Sequence, residues 1–126
     1  MRHTLAASLA WLVVGPQALA QGDATRGEAL ALNRSQSLCV LCHAVPGQNP
    51  ALQGNIGPPL AGVGSRLDAS ALRQRLLAPE RTNPETVMPA YGRVDGLQQV
   101  AQAQRGKPLL NAGQIDDLVA WLVTLR

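Results

Sequence analysis

Cys39-Val40-Leu41-Cys42-His43 is the stretch whose reading decides the fold. The spacing C-x-x-C-H is the attachment signature of a c-type haem. On a helix, positions i, i+3 and i+4 share one face, so Cys39, Cys42 and His43 are expected to point the same way. Two thiols so placed can form thioether bonds to the vinyl groups on one edge of a porphyrin, and the imidazole that follows can reach the iron. Cys39 and Cys42 are the only cysteines in the chain, which strengthens a short motif.

Three other uses of the pair stay open at this point. A thioredoxin-like redox pair needs a βαβ context, and no strand-rich pattern surrounds these residues. Structural zinc takes four nitrogen or sulfur ligands, more than two cysteines and His43 supply. A plain disulfide is compatible with an oxidising compartment.

Residues 1–20 read as a targeting segment. Met1-Arg2-His3 is a short positive start, Leu5 to Val14 is apolar apart from Ser8, and Ala18-Leu19-Ala20 is a small-x-small cleavage site before Gln21. These are the three regions of a secretory signal peptide. The apolar run is shorter than the roughly 20 residues a spanning helix needs; the alternative is an uncleaved anchor or a buried helix. The expected division is a cleaved leader over 1–20 and one domain over 21–126, exported to the periplasm and without membrane insertion once processed.

Outside the leader the aromatic residues are Tyr91 and Trp121, and there is no Phe. A core of Leu, Val and Ala alone is thin for a small domain, which usually needs a metal, disulfide or cofactor as a staple. A haem supplies a large flat apolar body. Without Arg2 the balance is ten Lys and Arg against eight Asp and Glu, and the haem propionates would bring it near zero. No basic run with interleaved aromatics suggests nucleic acid.

Three helices are expected. The first starts near Asp23, a good N-cap, and runs through Gly27, Leu30 and Ala31 towards Leu38. The second begins at Asp68, carries Leu72, Leu76 and Leu77, and stops at Pro79. The third is capped by Asn111 with Gln114 in capping-box position. Asp116 and Asp117 are assigned to its first turn, where the dipole favours them. Ile115, Leu118, Val119, Leu122 and Leu125 form its apolar stripe, with Trp121 at the edge. Residues 44–67 and 79–110 read as loops, unusually long for a compact domain unless they serve a function. Wrapping a haem would order them. Asn33-Arg34-Ser35 is a formal glycosylation acceptor and carries no weight, since it falls on the expected first helix.

The iron needs a second axial ligand or an open position. Outside the leader the chain has one Met, Met88, and one His, His43. Met88 precedes Pro89 in a proline-rich loop, and Pro can hold a loop rigidly. A lone Met is otherwise core filler. His/Met ligation favours the reduced iron and raises its potential, and a closed six-coordinate haem moves electrons and binds no substrate. The second nitrogen of His43 needs a fixed acceptor. Gly57-Pro58-Pro59-Leu60-Ala61-Gly62 offers one in the Pro58 carbonyl, with a simple surface turn as the alternative. No catalytic residue is assigned.

The C-x-x-C-H, G-P-x-L-x-G and Met-Pro elements, in this order, resemble class I mono-haem cytochromes c. The resemblance implies an all-α fold of three or more helices around a covalently attached haem, with Gly27 and Trp121 at a close contact between first and last helices. Gly54-Asn55-Ile56-Gly57-Pro58-Pro59-Leu60, Asn83-Pro84-Glu85-Thr86-Val87-Met88-Pro89-Ala90-Tyr91 and Arg105-Gly106-Lys107-Pro108-Leu109-Leu110 look like the SoxX family, the mono-haem subunits of SoxAX complexes of bacterial sulfur oxidation. That similarity covers most of residues 37–125 and is least clear over 21–36. It implies a heterodimer with a SoxA-type cytochrome, in a complex that couples thiosulfate oxidatively to a cysteine of the SoxYZ carrier protein, an L-cysteine S-thiosulfotransferase. Within it this chain would pass electrons to a downstream acceptor and not be catalytic alone, in keeping with its lack of a spare cysteine. The competing functions are a free shuttle to a terminal oxidase or other reductase, a haem enzyme or gas sensor with an open iron, and a haem-free domain closed by a disulfide.

Overall fold

The computed structural model describes residues 22–126. The expected leader over 1–20 lies outside them. Among the described residues there are five α-helices: α1 (Ala24–Leu32), α2 (Cys39–Cys42), α3 (Val63–Arg66), α4 (Ala69–Leu77) and α5 (Ala112–Leu122), with short 3-10 turns at Pro50–Leu52, Pro79–Arg81 and Gln102–Gln104. No strand occurs among them, and no helix is long and apolar enough to cross a membrane.

The helix starts follow local chemistry. The Asp23 carboxylate accepts from Arg26 N–H at 2.8 Å and the Asp68 carboxylate from Ala71 N–H at 2.8 Å. At α5 the capping box is complete: Asn111 Oδ1 accepts from Gln114 N–H at 2.9 Å, and Gln114 Oε1 accepts from Asn111 N–H at 3.0 Å. Each satisfies a backbone donor that the helix itself leaves free. Pro79 follows α4, and Ala78 before it leaves the helical region at φ −149°, ψ 63°, because the proline ring crowds a helical predecessor.

Three expectations are corrected. The first helix ends at Leu32, not near Leu38. Asn33 Oδ1 accepts from Ser35 N–H at 2.9 Å, and the buried Ser37 hydroxyl donates to Leu30 O at 2.7 Å; these local bonds replace the helical ladder. Leu38 then takes a left-handed turn at φ 62° and starts α2 in a new direction. The stretch read as loop over 44–67 contains α3. Asp116 and Asp117 lie in the second turn of α5, too far in to serve the dipole, and instead pair with arginines on other helices. Trp121, at the edge of the stripe, is buried at 4% exposure.

The terminal helices pack face to face. Gly27, Leu30 and Ala31 are the buried face of α1; Ile115, Leu118, Val119, Trp121 and Leu122 are that of α5. Gly27 permits the approach: a Cβ there would sit 2.0 Å from Asp117 O and 2.8 Å from Trp121 Cβ. Leu72 and Leu76 of α4 close the core together with Val40, Val45, Val63, Tyr91 and Leu110. Arg73 of α4 is paired with Asp116 of α5. This helical frame holds α2, and with it the C-x-x-C-H segment, against α1.

Candidate functional site

The segment Cys39–His43 is one turn of helix followed by an extended residue. His43 caps α2 at φ −114°, ψ 140°, its N–H donating to Cys39 O at 2.9 Å. The chain from 54 to 60 is laid back along it. Gly54 N–H donates to Val40 O at 2.9 Å, Gly57 N–H to Cys42 O at 2.8 Å and Leu60 N–H to Ala44 O at 2.9 Å. This strap places the Pro58 carbonyl 2.6 Å from His43 Nδ1. A carbonyl only accepts, so Nδ1 carries the proton and the lone pair for a metal lies on Nε2. Gly57 lies against the imidazole itself: a Cβ there would come 2.4 Å from its Cε1 and 2.6 Å from its Nδ1. The ring is fixed by a hydrogen bond at one atom and by backbone against its face.

Both thiols are free and partly exposed, so no disulfide closes this turn. Burial pushes the Cys39 thiol up, the opposite of the depression that a redox-active or nucleophilic cysteine needs. Among the described residues no group of three or more His, Cys, Asp or Glu is placed to hold a metal ion, as a structural zinc site would require.

Met88 is half-buried and packs against the core cluster. Its N–H donates to Thr86 Oγ1 at 3.1 Å. Three residues on, the Tyr91 hydroxyl donates to Ser37 O, two residues before Cys39. The loop carrying Met88 is thus tied to the entrance of the C-x-x-C-H turn. Burial pushes the Tyr91 phenol well up, reinforced by the neighbouring Cys39, so it remains a donor throughout the ordinary pH range.

Several residues that hold these parts carry no motif in the sequence. Arg66 donates to Ala61 O at 2.8 Å and Pro59 O at 3.2 Å, and Arg34 to Leu52 O at 2.6 Å, bracing the strap and the loop before it. Gln53 accepts from Val45 N–H and donates to Gln48 O at 2.9 Å. Tyr91 does carry a signal: it is the chain's only tyrosine and follows Met88 closely.

Free paired thiols on one turn, an imidazole with Nε2 available, and a thioether on a loop tied back to that turn fit a covalent haem. Fold and site define a helical c-type cytochrome domain. The pattern of the cytochrome c family, described as Cytochrome c, matches residues 24–126, and the chain belongs to that family; its cofactor is a covalently bound haem c. Among solved structures it is similar to a chain of the crystal structure of SoxXA from P. pantotrophus, at 36% sequence identity and a TM-score of 0.71, covering 84% of this chain and 83% of that one. No curated relative matches the chain.

Proposed function

We propose that this chain is the electron-transfer subunit of a SoxAX-type complex, partnered by a SoxA-type cytochrome. The similarity to SoxXA, 36% identity over 84% of the chain, carries this reading. In it Cys39 and Cys42 would hold the haem covalently, His43 Nε2 and the Met88 sulfur would bind its iron, and Pro58, 2.6 Å from His43 Nδ1, orients the ring. The haem supplies a one-electron ferric–ferrous couple. The residues around it do the rest: Pro58 and Gly57 fix the ring that ligates, and Met88 packs half-buried against the core.

The complex would join thiosulfate to a SoxYZ-type carrier cysteine by a new sulfur–sulfur bond as the cysteine S–H gives up its proton, releasing two electrons that this chain passes one at a time to a downstream acceptor. Its two cysteines are both used for attachment, which leaves none for the sulfur chemistry and supports a role in electron transfer only. Export to the periplasm, with a leader over 1–20 removed, belongs to the same reading, because thioether attachment in bacteria occurs outside the cytoplasm. On this reading the partner meets Gly54 to Pro59 and the segment after Met88; Ile56 in the first is 70% exposed, and Val87 just before Met88 is 75% exposed.

The test is co-purification of the exported protein with a second, larger haem protein, followed by optical spectra with and without reductant. A reducible haem, a weak far-red sulfur–iron band and a stable heterodimer are expected. A haem protein that stays monomeric beside its candidate partner would favour the free shuttle instead.

A further inference from the structure

From Asn83 to Ala90 the hydrogen bonds are local. Asn83 N–H donates to Pro79 O, Thr86 N–H to Asn83 O, Glu85 N–H to Asn83 Oδ1 and Met88 N–H to Thr86 Oγ1, each at 3.1 Å. Among the described residues none of these ties the loop to a distant part of the fold. Tyr91 is the first residue after Met88 that does, and it does so at three points. Its N–H donates to Leu76 O of α4 at 2.9 Å, its carbonyl accepts from Leu110 N–H at 3.1 Å, and its hydroxyl donates to Ser37 O. The side chain is 3% exposed. Ser37 is itself fixed, its hydroxyl donating to Leu30 O at 2.7 Å and Ala31 O at 3.2 Å at the end of α1.

The backbone bonds of Tyr91 hold the loop to α4 and to the approach of α5. Only the hydroxyl reaches the segment that carries the attachment cysteines. Three residues of chain span at most about 11 Å, and Pro89 stiffens the link by fixing its own φ, so displacement of Tyr91 is passed to Met88 with little slack. Resting on the assignment of Met88 as sixth ligand, we propose that Tyr91 is a positioning residue for that sulfur: its hydroxyl, bonded to Ser37 beside Cys39, sets the distance between the Met88 loop and the haem-bearing turn.

The test compares unmodified, Tyr91→Phe and Met88→Ala holoproteins. Tyr91→Phe keeps the ring and both backbone bonds. It is expected to attach haem normally, to weaken the sulfur–iron band, and to bind added imidazole about fivefold more tightly, the equivalent of one buried hydrogen bond withdrawn from the closed state. A variant that melts at lower temperature but keeps the band and the imidazole affinity of the unmodified protein overturns the proposal and leaves the Met88 assignment standing. Absence of the band from the unmodified protein, or its survival in Met88→Ala, overturns both. Should Tyr91→Phe fail to accumulate, urea titration of the unmodified protein decides. The band should vanish together with a change in the ultraviolet resonance Raman signal of the single tyrosine, before the helices melt; loss of the band with that signal intact overturns the proposal.

Discussion

Arg26 grips the Asp117 carboxylate with both arms, Nε to Oδ2 and a terminal nitrogen to Oδ1, each at 2.8 Å. Asp117 Oδ1 also accepts from Asp23 N–H at 2.7 Å. One largely buried carboxylate on α5 thereby holds the first turn of α1. The hydrogen-bonded Arg26 guanidinium, and then the Asp23 N–H, keep the Asp117 carboxyl below the usual carboxylate range.

A lowered folded-state pKa stabilises above the unfolded value and ceases to do so as pH falls through the folded one. Asp117 therefore contributes fully at neutral pH and loses its contribution below about pH 4, the ordinary carboxyl value. Asp117→Asn should cost about 1–3 kcal/mol at pH 7, and urea melts should show the gap from the unmodified protein shrinking at pH 3.

Gly27→Ala should destabilise although alanine is the better helix former. The added Cβ would lie 2.0 Å from Asp117 O, backbone that moves only if α1 and α5 part. Overpacking of this kind costs about 1–3 kcal/mol, read as a lower denaturation midpoint.

Gly57→Ala should act on the metal site more than on the fold. Its Cβ would press on the His43 ring, 2.4 Å from Cε1, and drive Nδ1 away from Pro58 O. Lower holoprotein yield and a shifted reduction potential are expected, with the helix signal retained.

Met88→Ala should open the iron. The far-red band should vanish, carbon monoxide should bind the reduced protein, and the potential should fall by on the order of 0.1 V, a part of the ~0.8 V range that axial ligands span. Ready binding of carbon monoxide by the unmodified protein would contradict the assignment of Met88.

Ile56→Glu and Val87→Glu test the partner surface. Each should weaken association with a SoxA-type partner about tenfold or more, the scale of one buried apolar side chain lost, while the spectrum and melting behaviour of the isolated chain stay the same. Unchanged association would move the interface elsewhere.

Features governed by neighbours in sequence were legible from it. The Asn111–Gln114 box and the Asp23 and Asp68 caps are contacts over three residues, and they stand where the pattern puts them. The C-x-x-C-H turn is of the same kind. What sequence hid lies beyond one helical turn. The end of α1 is decided by the Ser37 hydroxyl reaching back to Leu30. Asp116 and Asp117 look like first-turn acids, yet Arg73 and Arg26 on other helices fix their use. Trp121 sits at the edge of a helical-wheel stripe but is covered because Gly27 lets α1 come close. The grip of Tyr91 on Ser37 joins positions whose proximity no local pattern encodes.

His43 and its Pro58 acceptor are fifteen residues apart in the chain, whereas Tyr91 and Ser37 are separated by 54 and Asp23 and Asp117 by 94. Contacts over short separations close early and those over long ones late. The turn that holds the imidazole can therefore close before the Met88 loop is tied back to it. The two ends of this arrangement are thus on different clocks, and a chain caught between them would have its imidazole set while the loop across from it still hung loose.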